Sequence, residues 1–223
     1  MLCGTASANG QGVTVTTKSK PIYLGSNGAI FYDGEVQQTD AWFQWNNGVY
    51  ADIWTSASFN QNWNFGKELD LTLGKVGKLG TFSYSANINY YVIVITDVAN
   101  VNAELSRDFL RGKVSIEPYV RGEWYFPVRR GGPRRGIMGV GGLRTSVRMS
   151  SALSLVARGW LKKDSGCFDF DSALLGQGYV GIPFKLGEKL SITPGMNFSA
   201  PLSSVRDGRK REAVWEIVLS YSF

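Results

Sequence analysis

The last ten residues, Val214 to Phe223 (VWEIVLSYSF), fall into two sets of side chains when they are read at alternate positions. One set is apolar and mostly large: Trp215, Ile217, Leu219, Tyr221 and Phe223. The other set consists of Val214, Glu216, Val218, Ser220 and Ser222. A period of two places successive side chains on opposite faces of a β-strand. The segment therefore predicts a strand with an apolar, aromatic face that continues to Phe223, at a position where soluble domains usually fray.

The composition favours an all-β protein. Of the 223 residues, 43% are hydrophobic but only 19% are charged, less than the roughly 25% of ordinary soluble domains. The 27 glycines indicate many tight turns. No apolar run approaches the ~20 residues that a membrane-spanning helix needs, which excludes a helical membrane protein.

The residue types that most catalytic and metal sites use are scarce. The chain has no histidine, which removes the usual general base and the commonest metal ligand. Its two cysteines, Cys3 and Cys167, lack metal-ligand spacing. We therefore expect no enzyme activity, no cofactor and no metal. An outer-membrane lipid hydrolase would need a nucleophile with a base other than histidine, and the sequence offers no convincing pair.

The same alternation recurs along the chain and predicts about twelve strands. The alternating segments at the centre of these strands are about nine to eleven residues long, as a tilted strand that crosses a bilayer requires. The predicted spans are 13–24, 35–46, 48–60, 67–77, 80–93, 98–107, 113–127, 136–149, 152–162, 173–186, 189–200 and 212–223. We expect a single closed antiparallel transmembrane β-barrel.

The connections between these strands alternate in length. Most odd-numbered connections are long and polar, such as GSNGAIFYDG and PVRRGGPRRG, whereas most even-numbered ones are tight, such as NNG and GKLG. Long outer loops and short periplasmic turns are typical of outer-membrane barrels. A soluble β-sandwich does not require its long and short loops to lie at opposite ends.

The C-terminal strand resembles the C-terminal signature of bacterial outer-membrane barrels. In that class the barrel-insertion machinery reads a final phenylalanine preceded by apolar residues at alternate positions. The resemblance implies that the signal is carried here by Trp215, Ile217, Leu219, Tyr221 and Phe223.

A second resemblance concerns the segments NNGVYADIWTSASFN and KELDLTLGKVGKLGTFSYSANINYY. They are similar to the N-terminal half of a porin family of proteobacterial outer membranes, in which a Gly-x-Tyr strand precedes an acidic-Leu-Asp strand. Gly48, Tyr50, Glu68 and Asp70 occupy the matching positions. This resemblance implies a passive channel in the outer membrane.

If the apolar face meets lipid, the polar face lines the interior. The charged residues expected there are Asp52, Glu68, Asp70, Glu104, Glu117, Arg121, Glu123, Arg144, Arg148, Arg158 and Glu216. Two interpretations remain open. Acidic and basic walls border a water-filled passage for small polar or charged solutes, or the same groups form a salt-bridged plug in a closed barrel.

Two predicted outer loops are strongly basic and help to explain the formal net charge of +6. The residues are Arg129, Arg130, Arg134, Arg135, Arg206, Arg209, Lys210 and Arg211. Because no nucleic-acid module is evident, we expect contacts with lipopolysaccharide phosphates and not with nucleic acid. Ordinary solvated loops are the alternative.

We divide the chain into a remnant of an export signal at 1–8, read from Ala6-Ser7-Ala8, and a barrel at 9–223. A flexible end rich in small residues is the alternative for 1–8. The predicted function is a porin-like channel for small polar solutes in the bacterial outer membrane. The alternative is a closed structural or adhesive barrel whose outer loops bind a partner or lipopolysaccharide.

Overall fold

The computed structural model describes residues 11–60, 62, 66–93, 96–128, 134–167, 173–202 and 209–223. In these residues all regular secondary structure is β. In chain order the strands are β1 (Gly12–Lys20), β2 (Tyr23–Leu24), β3 (Ile30–Tyr32), β4 (Val36–Gln44), β5 (Val49–Ser58), β6 (Glu68–Leu79), β7 (Phe82–Ile93), β8 (Thr96–Ser106), β9 (Phe109–Arg111), β10 (Val114–Pro127), β11 (Gly136–Arg148), β12 (Ser154–Asp164), β13 (Leu174–Gly181), β14 (Phe184–Lys185), β15 (Leu190–Pro201) and β16 (Glu212–Ser222).

Twelve of these strands pair antiparallel into a closed barrel, which confirms the predicted fold. Around the ring they follow the order β1, β4, β5, β6, β7, β8, β10, β11, β12, β13, β15 and β16, and β16 pairs with β1. Four short strands lie outside the ring. β2 and β3 pair with each other, while β9 pairs with β10 and β14 pairs with β15.

The C-terminal strand closes the barrel. Its residues from Ile217 to Ser222 lie opposite Ser19 to Thr14 of β1, and the backbone N–H of Phe223 donates to the carbonyl of Val13 at 2.9 Å. The apolar face of β16 points outward, because Trp215, Ile217 and Phe223 are 52%, 45% and 69% exposed while Glu216 is only 3% exposed. This placement explains why the strand needs a large apolar face up to Phe223.

Most of the remaining barrel exterior is also apolar. Leu73, Ile88 and Val120 are each about 60% exposed, and exposed large apolar side chains project outward from every other ring strand except β1 and β4. Exposed aromatic side chains lie near both ends, with Trp124 and Phe126 at one end and Phe82 and Phe109 at the other. Such a band with aromatic edges suits a bilayer. Within the described residues, no helix has the length and apolar character to span a membrane.

The strand ends that the long connections join lie at one end of the barrel, as predicted. We call this the loop end; its connections are 21–35, 59–67, 94–95, 128–135, 165–173 and 202–211. The opposite turn end carries 45–48, 80–81, 107–113, 149–153 and 182–189. The sorting is incomplete, since 94–95 is short and the turn-end connections 107–113 and 182–189 carry β9 and β14.

All twelve predicted spans correspond to ring strands, and the two largest differences occur beside prolines. The predicted strand 13–24 ends at Lys20, just before Pro21, and the chain then forms the β2–β3 hairpin. The predicted strand 173–186 ends at Gly181, just before Ile182-Pro183, and β14 resumes after it. Proline has no N–H to donate to a ladder, which explains both breaks. The predicted export-signal remnant at 1–8 lies outside the described residues.

The outward position of Ile217 gives a direct test of the lipid-facing surface. Ile217 lies in the middle of β16, so an arginine there would enter the hydrocarbon region. We expect Ile217→Arg to destabilise the barrel by about 2–4 kcal/mol or to block its insertion, as measured by folding into liposomes at increasing urea concentration. An inward-facing residue of the same strand provides the control, since Ser220→Ala removes only a hydroxyl contact with Thr16 and should assemble normally. Equal tolerance at both positions would contradict the assignment of faces.

Candidate functional site

The barrel encloses a cavity of about 630 Å³ that is lined mainly by polar and aromatic side chains. Near the turn end its lining includes Lys78, Ser83 and Asp108, and near the loop end it includes Leu24 and Ser26. The lining therefore extends over the length of the barrel. Because side chains alternate along each strand, one face of each strand points toward this cavity. Its lining includes eight of the eleven charged residues predicted for the interior: Glu68, Asp70, Glu104, Glu117, Arg121, Glu123, Arg144 and Arg158.

A continuous chain of ion pairs follows one wall of the cavity and begins near the loop end. Lys162 Nζ lies 3.1 Å from Glu123 Oε2, and Glu123 Oε1 lies 2.7 Å from Arg121 Nη2. The hydroxyl of Tyr125 also donates to Glu123 at 2.9 Å. Glu123 is 3% exposed, so this carboxylate is almost fully buried among three donors.

The chain of ion pairs continues toward the turn end. Arg121 Nη1 lies 3.6 Å from Glu104 Oε2, and Arg144 Nη2 donates to both carboxylate oxygens of Glu104 at 2.7 and 2.8 Å. Arg144 Nη1 donates to Glu117 at 3.1 Å, and its guanidinium lies 4.0 Å from the ring centroid of Tyr119. We call these six charged residues the ion-pair ladder: Lys162, Glu123, Arg121, Glu104, Arg144 and Glu117.

The register of the strands explains the ladder. Arg121 is directly opposite Glu104 in the β8–β10 pair, and Glu117 is directly opposite Arg144 in the β10–β11 pair. Directly opposite residues on one face have Cβ atoms about 4.5–5.5 Å apart, which lets opposite charges meet. The three basic and three acidic groups of the ladder balance one another formally.

An acidic cluster occupies a different part of the wall. Asp40 on β4, Asp52 on β5 and both Glu68 and Asp70 on β6 are all buried and face inward. Within the described residues, the ion pairs do not include any of these four carboxylates. Glu68 instead accepts a hydrogen bond of 2.6 Å from the Tyr23 hydroxyl.

Between the cluster and the β16 wall, lysines supply positive charge. Lys20 Nζ lies 2.9 Å from Glu216 Oε2, across the β1–β16 junction. Lys18 is 5% exposed and lies near both Asp40 and Glu216. Charge of both signs therefore meets on this side of the barrel as well.

Amide and hydroxyl groups lie on the strands between the acidic cluster and the ladder and are hydrogen-bonded to one another. Thr72 donates to Asn89 at 2.6 Å, and Asn89 donates to Asn100 at 2.5 Å and to Asn87 at 2.8 Å. Asn87 in turn donates to the Tyr50 hydroxyl at 2.8 Å. These neutral groups make the β6–β8 wall polar without adding net charge.

The expected separation into an acidic and a basic wall is not what the structure shows. Arg121 and Arg144 lie among glutamates in the ladder, so the β8–β11 part of the wall carries both signs. The acidic cluster on β4–β6 takes part in none of the described ion pairs, so this part of the wall is mainly acidic. The alternation in the sequence predicts which face each residue occupies, but it does not predict the stagger of neighbouring strands, which determines the ion pairs.

The other predicted interior charges occupy more varied positions. Arg158 is partly buried, lines the cavity and lies opposite Arg144 and Tyr179 on the neighbouring strands. Arg148 is exposed at the turn end of β11, and Asp52 is only 1% exposed and does not line the cavity. Glu216 is also buried, in its pair with Lys20.

The basic loop residues that the structure describes lie at the loop end. Arg134, Arg135, Lys210 and Arg211 are exposed there, and the guanidinium of Arg135 lies 5.7 Å from the Phe126 ring centroid. Arg209 points toward the mouth and donates to the carbonyl of Asn27 at 2.8 Å. The predicted residues Arg129, Arg130 and Arg206 lie outside the described residues.

One loop-end feature concerns the single described cysteine. Cys167 is fully buried, and burial together with the nearby Asp164 carboxylate raises the pKa of its thiol to about 12. The thiol therefore stays protonated at neutral pH.

Several interior residues are not among the predicted site residues. The alternation of their strands nevertheless places four of them on the polar face: Lys18, Lys20, Asp40 and Lys162. Tyr23 is a different case. The period-two pattern predicts it at the end of the first strand, whereas it belongs to a hairpin at the loop end.

Glu123 and Glu117 lie on the same strand, and substitutions at these two positions test how much the ladder stabilises the barrel. Removing one partner of a buried ion pair leaves uncompensated charge, so we expect Glu123→Ala to lower the free energy of unfolding by about 3 kcal/mol. Glu117→Ala is the matched control and should cost less than about 1 kcal/mol, because this pair is partly exposed and Arg144 keeps Glu104. Urea unfolding in detergent micelles, followed by tryptophan fluorescence, measures both. Equal losses would show that burial of the ladder does not determine its energy.

Comparisons with known proteins support the fold. No protein-family model matches the sequence, and no curated protein matches it. Among solved structures, a NanC porin is similar with a TM-score of 0.64 and 11% sequence identity, covering 94% of this chain and 98% of that one. A KdgM porin has a TM-score of 0.63 and 11% identity, with 94% and 99% covered.

Two further structures extend the comparison. A KdgM porin in complex with disordered oligogalacturonate has a TM-score of 0.60 and 11% identity, over 95% of this chain and 99% of that one. An outer-membrane channel of Pseudomonas putida F1 has a TM-score of 0.57 and 11% identity, over 98% and 97%. The chain therefore has the β-barrel fold of bacterial outer-membrane channels.

Proposed function

We propose that the protein is a porin-like channel of the bacterial outer membrane, through which small polar solutes diffuse passively. The observation that carries the proposal is the polar cavity, whose lining extends from the loop end to the turn end of an apolar-sided barrel. The similar solved structures named as porins and channels support it. In this orientation the loop end faces the exterior and the turn end faces the periplasm.

The course of the ion pairs argues against a salt-bridged plug. In the described residues, each ion pair joins residues on the same strand, on adjacent ring strands or on strands separated by one other strand. A plug would need pairs that bridge opposite walls. The ladder instead lies along the wall and leaves room for water and solute beside it.

The chemistry of the lining suggests which solutes pass. Carboxylates, guanidinium groups and amides alternate with aromatic rings such as Trp42, Tyr119 and Trp160. Polar molecules with hydroxyl groups can exchange hydrogen bonds with such a surface as they move. One of the similar porin structures is in complex with disordered oligogalacturonate, which is consistent with passage of polar chains.

The remaining partners belong to the same proposal. Outer-membrane lipid covers the apolar exterior, and lipopolysaccharide phosphates bind the exposed loop-end cations, represented in the described residues by Arg134, Arg135, Lys210 and Arg211. The barrel-insertion machinery recognises the outward face of β16. A catalytic role is not part of the proposal.

Electrical recording tests the channel directly. We expect the purified protein to give stepwise currents in planar lipid bilayers, because the polar cavity admits hydrated ions. A correctly folded barrel that remains electrically silent would contradict the channel and favour a closed structural or adhesive barrel.

Ion preference tests whether Arg158 lies on the ion path. Arg158→Glu changes the interior by two charge units, and such substitutions tune selectivity in this class. Under a salt gradient, the reversal potential should therefore shift toward cation preference. Arg211→Glu makes the same charge change at the exposed loop end, where salt screens charges beyond about 8–10 Å, so its shift should be smaller. If the Arg158→Glu channel conducts with an unchanged ion preference, Arg158 does not line the ion path.

A further inference from the structure

The connection between β1 and β4, residues 21–35, folds over the loop-end mouth of the barrel. We call it the mouth hairpin. β2 and β3 pair within it, and backbone hydrogen bonds from Gly25 N to Ala29 O (2.9 Å) and from Gly28 N to Gly25 O (3.0 Å) form its tip. Gly28 has a φ of 79°, which glycine adopts without strain. The segment therefore has a defined conformation of its own.

One side of the mouth hairpin is fixed to the acidic cluster. The Tyr23 hydroxyl donates to Glu68 Oε2 at 2.6 Å, a short hydrogen bond. The Tyr23 ring packs against Trp54 and Phe31, with centroid separations of 5.9 and 5.3 Å. Tyr23 is consequently 7% exposed although it lies in a connection.

The tip of the mouth hairpin reaches a distant part of the ring. A Cβ atom placed on Gly28 would lie 2.7 Å from Leu175 Cδ1 and 3.0 Å from Ser199 Oγ, so the Gly28 backbone contacts β13 and β15. The neighbouring carbonyl of Asn27 accepts a 2.8 Å hydrogen bond from Arg209, at the end of another loop. Asn27 is 7% exposed.

The two attachment sites lie almost across the mouth from each other. Glu68 belongs to β6 and Ser199 belongs to β15, and in the ring order β5, β4, β1 and β16 separate these strands. The separation is five steps around a ring of twelve strands, close to the six that define opposite sides. Leu24, Ser26, Asn27 and Phe31 of the mouth hairpin also line the central cavity.

We propose that the mouth hairpin is the constriction that sets the size limit of the channel, with Tyr23 as its specificity-determining anchor. The inference rests on the proposed channel function and adds the element that selects solutes by size. The free cross-section at the mouth is then smaller than the ring of twelve strands alone would leave. The hairpin is held at its base by the Tyr23–Glu68 hydrogen bond and at its tip by the Asn27–Arg209 hydrogen bond, so it stays across the opening as solutes pass.

Shortening the mouth hairpin tests the proposal. Tyr23 and Tyr32 are paired in the register, so residues 24–31 can be replaced by the two-residue turn Asn-Gly. We expect the single-channel conductance to rise at least two-fold, and oligosaccharides too large for the wild-type channel to enter proteoliposomes in swelling assays. Unchanged conductance together with an unchanged size limit would falsify the proposal. A silent wild-type channel would instead overturn the proposed function itself.

A point variant tests the anchor without shortening the chain. Tyr23→Phe keeps the aromatic packing but removes the hydrogen bond to Glu68, so its current should fluctuate to levels above the wild-type open state. Tyr32→Phe removes a hydroxyl from the same hairpin without affecting that bond, and its recordings should match the wild type. If the shortened variant fails to fold, as judged by heat-dependent gel mobility, Tyr23→Phe decides the question. Recordings identical to wild type would then overturn the proposal.

Discussion

Hydrogen bonding of the backbone is the constraint on which the structure depends. In hydrocarbon, every N–H and C=O group needs a partner within the protein, so a spanning sheet must close on itself. Closure occurs where β16 meets β1, with Ile217 to Ser222 opposite Ser19 to Thr14 and Phe223 paired with Val13. Once the ring is closed, the alternation of side chains sends one set to the lipid and the other set to the interior. The two surfaces of the barrel therefore follow from one requirement of the backbone.

Closure of the barrel creates a second constraint, which applies to the charged residues of the interior. A charge removed from bulk water needs a close partner of opposite sign or local water. Directly opposite residues on neighbouring strands are near enough for this, whereas opposite walls are not. Arg121 with Glu104 and Arg144 with Glu117 use this arrangement, so their charges are compensated within the wall. Pairing along the wall is the feature that makes a polar interior compatible with an open passage.

The sequence predicts what depends on local alternation and not what depends on stagger between strands. Twelve strands, their outward faces and the sorting of long connections all follow from period-two patterns and loop lengths. The pairing of Arg121 with Glu104 does not follow from these patterns. It depends on the offset between β8 and β10, which are joined by residues 107–113, a connection that carries β9. The position of the mouth hairpin likewise cannot be predicted from the sequence. Pro21 indicates where β1 ends, but the chain's course across the mouth depends on contacts between Tyr23 and residues of β5 and β6.

The unequal distribution of charge around the interior explains why the mouth hairpin is anchored where it is. Glu104, Glu117 and Glu123 already accept from arginine or lysine, so these carboxylates are occupied. Glu68 belongs to the acidic cluster, and it accepts a 2.6 Å hydrogen bond from a neutral phenol, that of Tyr23. A hydroxyl bound to a carboxylate forms a short, directional contact without adding positive charge to the mouth. The number of strands thus sets the widest bore that the barrel allows, while a hydrogen bond between a loop and the acidic wall determines how much of it the mouth leaves free.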